Sequence, residues 1–342
     1  MLILADPAFA NRAANPYNAL LYQALRERGV RVAEARWWVP ARGARIWHLH
    51  WPEAFLSHPR ALGCVKELVL LLARLLRIRL QGLRLVWTVH NLHPHEIRRP
   101  RLTAWFYRHF PACCDGLVFL SEATREAALT AHPALRGKPS VVIAHGHYRS
   151  VYPAPPSRRE ARAALGIGED EKVLLFFGLV RPYKNVPRLI ECFRRATLGP
   201  ARLIVAGRLL DPALRPVLLA AADGDPRIRL DLQAQDEPAL QRYFAAADAV
   251  ALPFLEIANS GSALLALSLD RPVLAPARGS LVGLSAAVGA DWLRLYEGEL
   301  QPAHLQSLLQ TPPPAGRPDL SSLDWPRLAD RTLAFYEQLL GR

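Results

Sequence analysis

The chain has 342 residues, of which 51% are apolar, and carries a net charge of +13; that is more than one domain usually holds and enough to bury a substantial core. Its four cysteines, Cys64, Cys113, Cys114 and Cys192, match neither a disulfide framework nor a zinc spacing, which points to a reducing cytosol. The charge is lopsided: residues 1–150 hold 21 Lys and Arg against 9 Asp and Glu, whereas residues 151–342 hold 22 against 21, so the first part is expected to face a polyanion such as an acidic membrane or a nucleic acid.

In chain order, MLILADPAFA lacks a basic leader and is interrupted early by Asp6, so it reads as a first buried strand rather than a signal peptide. Further strands are expected at 30–35, 46–50, 84–89, 116–120 and 140–144, with helical patterns between them. The most apolar stretch, VKELVLLLARLLRIRL from Val65 to Leu80, contains five charged residues. It falls short of the roughly 20 clean apolar residues of a membrane span, so it should lie on a membrane or in a core. A proline-rich joint, Tyr148–Pro156, precedes a second series of strands at 173–177, 202–206, 228–232, 249–252 and 272–275. After TPPPAGRP, residues 311–318, comes a last helical pattern at 324–340. The alternation predicts an α/β protein of two Rossmann-like domains, 1–150 and 151–322, with a terminal helix, 323–342, that packs back on the first. No G-x-G-x-x-G follows either first strand and no P-loop occurs. Chemistry is therefore sought after Val89, Ala144, Phe177, Ala206 and Leu252, at the carboxyl ends of strands.

Two such ends look suited to phosphate. After the strand LLFF comes Gly178-Leu-Val-Arg181-Pro-Tyr-Lys184-Asn185 and then a helix start: a glycine turn and two cations where helix amides also point, an arrangement that fits a diphosphate. Solvated loop cations are the plainer alternative. Asn259-Ser260-Gly261-Ser262 opens another helix; it can wrap a phosphate or ribose, or it can simply cap the helix. Glu256, three residues upstream of Asn259, has the carboxylate to accept two ribose hydroxyls.

The first half carries a different cluster. His48-Leu-His50-Trp-Pro-Glu53 follows one strand and Val89-His90-Asn91-Leu-His93-Pro-His95-Glu96 follows another. The proline at 94 opposes the helical pairing of a zinc site and H-E-x-x-H is absent, so no metal is expected. His145-Gly146-His147 also follows a strand, and Gly146 would let the backbone approach a ligand, with His145 lining a cleft.

The string GLVRPYKNVPRLI, then LIVAGR at Leu203–Arg208, then DAVALPF, a small-residue turn and ALLALSLDRPVLAP resembles the donor-binding domain of GT-B glycosyltransferases over about residues 170–280. The resemblance implies two Rossmann-like domains with a cleft between them, a diphosphate neutralised by Arg181 and Lys184, and a nucleotide near Gly178, Gly207 and Arg208. HLHWPE with VHNLxPHE is similar to bacterial exopolysaccharide glycosyltransferases, including β-mannosyltransferases that extend a lipid-linked oligosaccharide from GDP-mannose. The resemblance places His90 beside the transferred sugar and makes Glu96, Glu53 and His90 the candidate bases, Glu96 favoured. It puts Asn15 and Tyr17 on the acceptor-side loop, with His50, Asn91 and His145 nearby. Retaining relatives carry E-x7-E. Here Glu256 stands one place off the first Glu, and Leu265 occupies the second position, which implies inversion.

The expected enzyme is thus a metal-independent hexosyltransferase with no cofactor, using a nucleotide diphosphate sugar and a lipid-linked saccharide. Its basic first domain and the Val65–Leu80 segment would hold it on the inner face of the plasma membrane. A UDP-sugar donor is the near alternative. A nucleic-acid-binding α/β protein is the rival from another class, disfavoured because no basic and aromatic reading surface appears; an epimerase or phosphorylase on the same scaffold is a third.

Overall fold

The alternation of short apolar runs with helical patterns builds two six-stranded, wholly parallel sheets in the computed structural model. The structure describes residues 1–341 apart from 13–14, 36–42, 57, 92–98 and 258. The chain divides into two compact units, Met1–Gly146 with Leu323–Arg342, and His147–Ser322.

The first unit has strands β1 (Leu2–Asp6), β2 (Arg31–Glu34), β3 (Ala44–His50), β4 (Arg84–Val89), β5 (Gly116–Phe119) and β6 (Ser140–Val142), in the order β2-β1-β3-β4-β5-β6. Helices α1 (Tyr17–Arg26), α2 (Ala61–Leu80), α3 (Pro100–Cys113) and α4 (Glu122–Ala131) make the crossovers. The order reverses direction between β1 and β3, the point where such sheets bind ligands.

Side chains alternate across a strand, and this sorts the two faces. Trp47, Leu49, Trp87 and Val89 enter one core with Leu71 and Ile78 of α2 and Phe106 and Phe110 of α3. Ile46 and Val86 enter the other core with Tyr17 and Tyr22 of α1. By the same period of two, His48, His50, Thr88 and His90 belong to the α1 face.

The second unit has β7 (Lys172–Phe177), β8 (Ala201–Ala206), β9 (Ile228–Asp231), β10 (Ala249–Ala251), β11 (Val273–Pro276) and β12 (Leu293–Tyr296), in the order β12-β11-β10-β7-β8-β9. Its helices are α5 (Arg158–Leu165), α6 (Val186–Arg195), α7 (Leu214–Ala222), α8 (Glu237–Ala246), α9 (Gly261–Ser268), α10 (Ser280–Val288) and α11 (Pro302–Gln310). α5 shows how sequence sets an end: Ser157 and Glu160 form a reciprocal capping box, and Gly166 closes the helix in the left-handed region. The switch point here lies between β7 and β10. β12, from DWLRLYEG, has no counterpart among the strands expected from sequence.

The last helix, α12 (Trp325–Leu339), belongs to the first unit. Trp325, Leu328, Ala329, Phe335 and Tyr336 join the α1-side core, and Arg28, two residues past α1, pairs with Asp330. Gly146 has its reason here, and it differs from the ligand approach expected: a Cβ on Gly146 would lie 2.4 Å from the Trp325 indole.

α2 sits on a narrow seam. Only Cys64, Leu71 and Ile78, seven residues apart, are fully buried, while Leu62, Val65, Val69, Leu72, Leu76 and Leu80 are 46% to 85% exposed. At about 100° per residue those six fall within about 80° of arc, one continuous apolar stripe. Lys66 and Arg77 fall to one side of it and Arg79 to the other. Among the described residues no helix is long and apolar enough to cross a membrane.

Candidate active site

At the switch point of the second unit, two backbone turns touch. Gly178, with φ +123°, ends β7, and Gly207, with φ +153°, ends β8. A Cβ on Gly207 would lie 1.9 Å from the Gly178 carbonyl oxygen, so no other residue fits there without movement of the main chain. The pairing continues past the glycines, with the Val180 amide donating to Arg208 O at 2.9 Å. The chain then makes a tight turn over Pro182–Lys184, and Asn185 leads into α6 with φ +53°, a conformation asparagine tolerates better than most residues.

This turn is tied to the loop after β10. The Leu255 amide donates to Tyr183 O at 2.8 Å, and the Arg278 guanidinium donates to Leu255 O at 2.5 Å. Lys184 Nζ rests 3.5 Å from the centroid of the buried Phe254 ring. Burial, with the Arg181 guanidinium beside it, lowers this ammonium to about 7. The Nε of Arg181 is buried and meets no hydrogen-bond partner among the described residues, a donor that asks for an anion. On the other side of Gly178 stands Ser262 of α9, its Oγ 3.2 Å from where a Cβ would be. The small-residue turn therefore faces the glycine turn, as a site for a phosphate requires.

In the first unit, the histidines form a continuous buried chain. His48 Nε2 is 2.7 Å from Thr88 Oγ1, and its Nδ1 is 2.5 Å from Tyr336 Oη. His50 Nε2 is 2.6 Å from Tyr22 Oη, and its Nδ1 is 2.9 Å from His90 Nε2. The Trp51 indole stacks on His90 with centroids 4.1 Å apart, and Tyr17 sits edge-on at 5.0 Å. Trp51 holds this place with φ +47°, a strained conformation for a large side chain that its surroundings must enforce.

Burial lowers His48 to about 3 and His145 to about 4, and drives His50 and His90 well below the usual imidazole range. All four rings are neutral near pH 7. Glu53, also buried, is pushed up by desolvation, against which the Asn91 amide, 3.0 Å from its Oε1, and Tyr107 hold it down. Among the described residues no group of three or more His, Cys, Asp or Glu is arranged to hold a metal ion.

Comparison with known proteins now assigns the chain. It is 34% identical over 339 residues to the GDP-mannose:glycolipid 4-beta-D-mannosyltransferase of Xanthomonas campestris pv. campestris, covering 97% of this chain and 90% of that one. The chain belongs to this mannosyltransferase family. It is a glycosyltransferase of the GT-B fold. It is also 30% identical over 205 residues to the D-inositol 3-phosphate glycosyltransferase of Mycobacterium tuberculosis (strain F11), covering 55% of this chain and 41% of that one. No family model matches the sequence. Among solved structures, the sucrose-phosphate synthase from Thermosynechococcus elongatus superposes with a TM-score of 0.68 at 16% identity, over 99% of both chains. WaaG, a glycosyltransferase involved in lipopolysaccharide biosynthesis, does so with 0.61 at 16% identity, over 100% of this chain and 98% of that one.

Within this glycosyltransferase the residues singled out from sequence separate by what they touch. Gly178, Arg181, Lys184, Gly207 and Ser262 converge at the second unit's switch point, and Gly261, against Tyr148 Oη, starts α9 beside them. The Ser260 hydroxyl accepts from the Ala263 amide as the cap of α9. Arg208 and Glu256 are exposed, and Asn259 is half-buried.

In the first unit, Tyr17 is buried under His90, His145 and Trp325, and both ring nitrogens of His50 are committed. Both pack directly around His90. Asn15 turns its Oδ1 to the Tyr17 amide at 3.0 Å, the local turn that N-P sequences favour. His145 donates from Nδ1 to Gly146 O at 2.7 Å. Glu96, with His93 and His95, lies outside the described residues. Sequence reasoning missed Tyr22, Trp51 and Tyr336. Nothing local marks Tyr22 or Tyr336, because their partners are 28 and 288 residues away; Trp51 was legible only as the residue between HLH and Pro52.

Proposed function

We propose that the enzyme transfers mannose from GDP-mannose to a lipid-linked saccharide with inversion, on the surface of an anionic membrane. The second unit binds the nucleotide diphosphate through Arg181 and Lys184. The observation that carries this is the pair itself: a buried guanidinium nitrogen without a hydrogen-bond partner among the described residues and an ammonium whose charge burial opposes, both at the switch point beside two glycine turns. An anion between them satisfies the first and restores the second. The nucleobase and sugar follow the family's relative in Xanthomonas campestris pv. campestris.

In the first unit His90 meets the transferred sugar, and Glu96, Glu53 or His90 receives the acceptor hydroxyl's proton as GDP leaves. Asn91, Tyr17, Asn15, His50 and His145 shape the acceptor side around it. Leu265, buried in α9, fills the place of the second glutamate of the retaining pattern, which supports inversion. No resident cofactor or metal is invoked. The α2 stripe, flanked by Lys66, Arg77 and Arg79, suits an acidic bilayer interface, where a glycolipid is presented.

Thermal unfolding with GDP, UDP, ADP and their sugars, on wild type and Arg181→Ala/Lys184→Ala, tests the donor assignment. GDP and GDP-mannose should stabilise the wild type alone, by about 2.7 kcal/mol at 100 times the dissociation constant. A response to UDP in place of GDP moves the donor to the other base, and no response to any nucleotide at millimolar concentration ends the reading. Transfer of labelled mannose to a lipid-linked acceptor, with the anomer read by NMR, decides inversion.

A further inference from the structure

The loop that leaves β1 is fixed by contacts from two neighbouring elements. Glu34, the last residue of β2, reaches past the end of β1 and accepts three consecutive backbone amides: Ala8 N at 3.0 Å on Oε1, and Phe9 N at 2.9 Å and Ala10 N at 3.2 Å on Oε2. Successive amides turned to one point form a concave anion site, and here the anion is the protein's own carboxylate. From α1, the fully buried Asn18 donates from Nδ2 to Pro7 O at 2.6 Å. The Phe9 ring lies against the Arg26 guanidinium, whose carbon is 4.1 Å from the ring centroid.

This loop and His90 share one wall. Phe9 packs edge-on against Tyr22 with centroids 6.4 Å apart, the Tyr22 hydroxyl lies 2.6 Å from His50 Nε2, and His50 Nδ1 lies 2.9 Å from His90 Nε2. The loop also stands at the carboxyl end of β1, beside the reversal of strand order between β1 and β3, where open parallel sheets take their ligands. Farther along it, Asn11 Oδ1 is buried and meets no hydrogen-bond donor among the described residues, an acceptor atom suited to a sugar hydroxyl. With the nucleotide diphosphate assigned to the second unit, the ligand that this wall of the first unit serves is the acceptor saccharide.

We propose that Glu34 is a positioning residue for the acceptor: by holding the amides of Ala8, Phe9 and Ala10 it sets the shape of the loop between β1 and α1 against which the acceptor saccharide docks. The kinetic consequence rests on the transferase reading given above; the anchoring of the loop does not. Glu34→Gln leaves one acceptor oxygen for three amides and turns an NH2 group toward donors, so it frees the loop while keeping the size of the side chain.

Amide hydrogen exchange on the ligand-free protein reads the anchoring, and steady-state kinetics with GDP-mannose and a glycolipid acceptor read its use. In Glu34→Gln the amides of Ala8, Phe9 and Ala10 should exchange at least about tenfold faster than in the wild type, with those of Ile3, Leu4 and Ala5 in β1 unchanged. KM for the acceptor should rise about tenfold, with kcat and KM for GDP-mannose unchanged. Glu34→Asp, which keeps the charge on a chain one methylene shorter, is measured in the same way and decides the matter if Glu34→Gln does not fold. Unchanged exchange at residues 8–10, an unchanged KM for the acceptor in a folded variant, an equal rise in both KM values, or a loss of kcat alone, as a merely stabilising residue gives through a smaller folded fraction, overturns the proposal. Failure of the transferase reading looks different: no turnover by the wild type, with the exchange result still read from the ligand-free protein.

Discussion

Lys184 shows how burial changes a single residue. Its ammonium lies on the Phe254 ring with Arg181 nearby, and burial brings it down to about 7. At pH 8 Lys184 is therefore mostly neutral, and on the proposed reading a diphosphate beside it would recharge it. GDP binding at pH 8 should take up protons, seen as a binding enthalpy that varies with the ionisation enthalpy of the buffer. Lys184→Ala should abolish the uptake; equal enthalpies in all buffers for the wild type would show that Lys184 is already charged. The sign for folding follows from the same shift. The unfolded chain binds this proton up to its ordinary 10.5 and the folded chain only to about 7, so this group makes the empty protein more stable as pH rises between those values.

At the scale of elements, α2 and α12 take opposite solutions to a shared problem, an amphipathic helix that needs cover. α12 buries Trp325, Leu328, Phe335 and Tyr336 against the first unit's own sheet face. α2 buries one residue per seven and leaves its other apolar face open. If a bilayer covers that stripe, Leu72→Ser with Leu76→Ser should weaken sedimentation with phosphatidylglycerol vesicles at least about tenfold, while the melting temperature stays put because both side chains already face solvent. Binding that survives the double substitution, or that is equal on neutral vesicles, rejects this face as the membrane contact. Both helices were legible as amphipathic patterns. β12 was not, because four residues of LRLY supply too short an alternation to stand out from a helix pattern on either side.

Over the whole molecule, the cost of the histidine chain falls on acid stability. His48, His50, His90 and His145 are lowered by burial in the folded protein, whereas the unfolded chain takes up protons near 6.5. The unfolded state then binds more protons, so stability is fully present above 6.5 and is lost as pH falls below it toward 4. The urea midpoint should drop markedly between pH 7 and pH 5. A midpoint constant over that range would mean that these rings are protonated in place. Because the four rings share one core, the loss should be seen as cooperative unfolding of the first unit rather than of one loop.

The sequence by itself determined what periodicity and local chemistry can encode. Alternating apolar strands and helices specified two parallel sheets, the period of two put His48 and His50 on one face of β3, and GLVRPYKN set a glycine turn with two cations at a strand end. What folding decided were the partners. Gly146 makes room for an indole from the last helix, Ser260 caps α9, and Tyr17 and His50 pack around His90. Tyr22 and Tyr336 acquire their roles only when α1 and α12 close over β3. Burial supplies the rest: the same imidazole or ammonium is an ordinary surface group in the unfolded chain, and only exclusion of water makes the histidines neutral and Lys184 receptive to an anion.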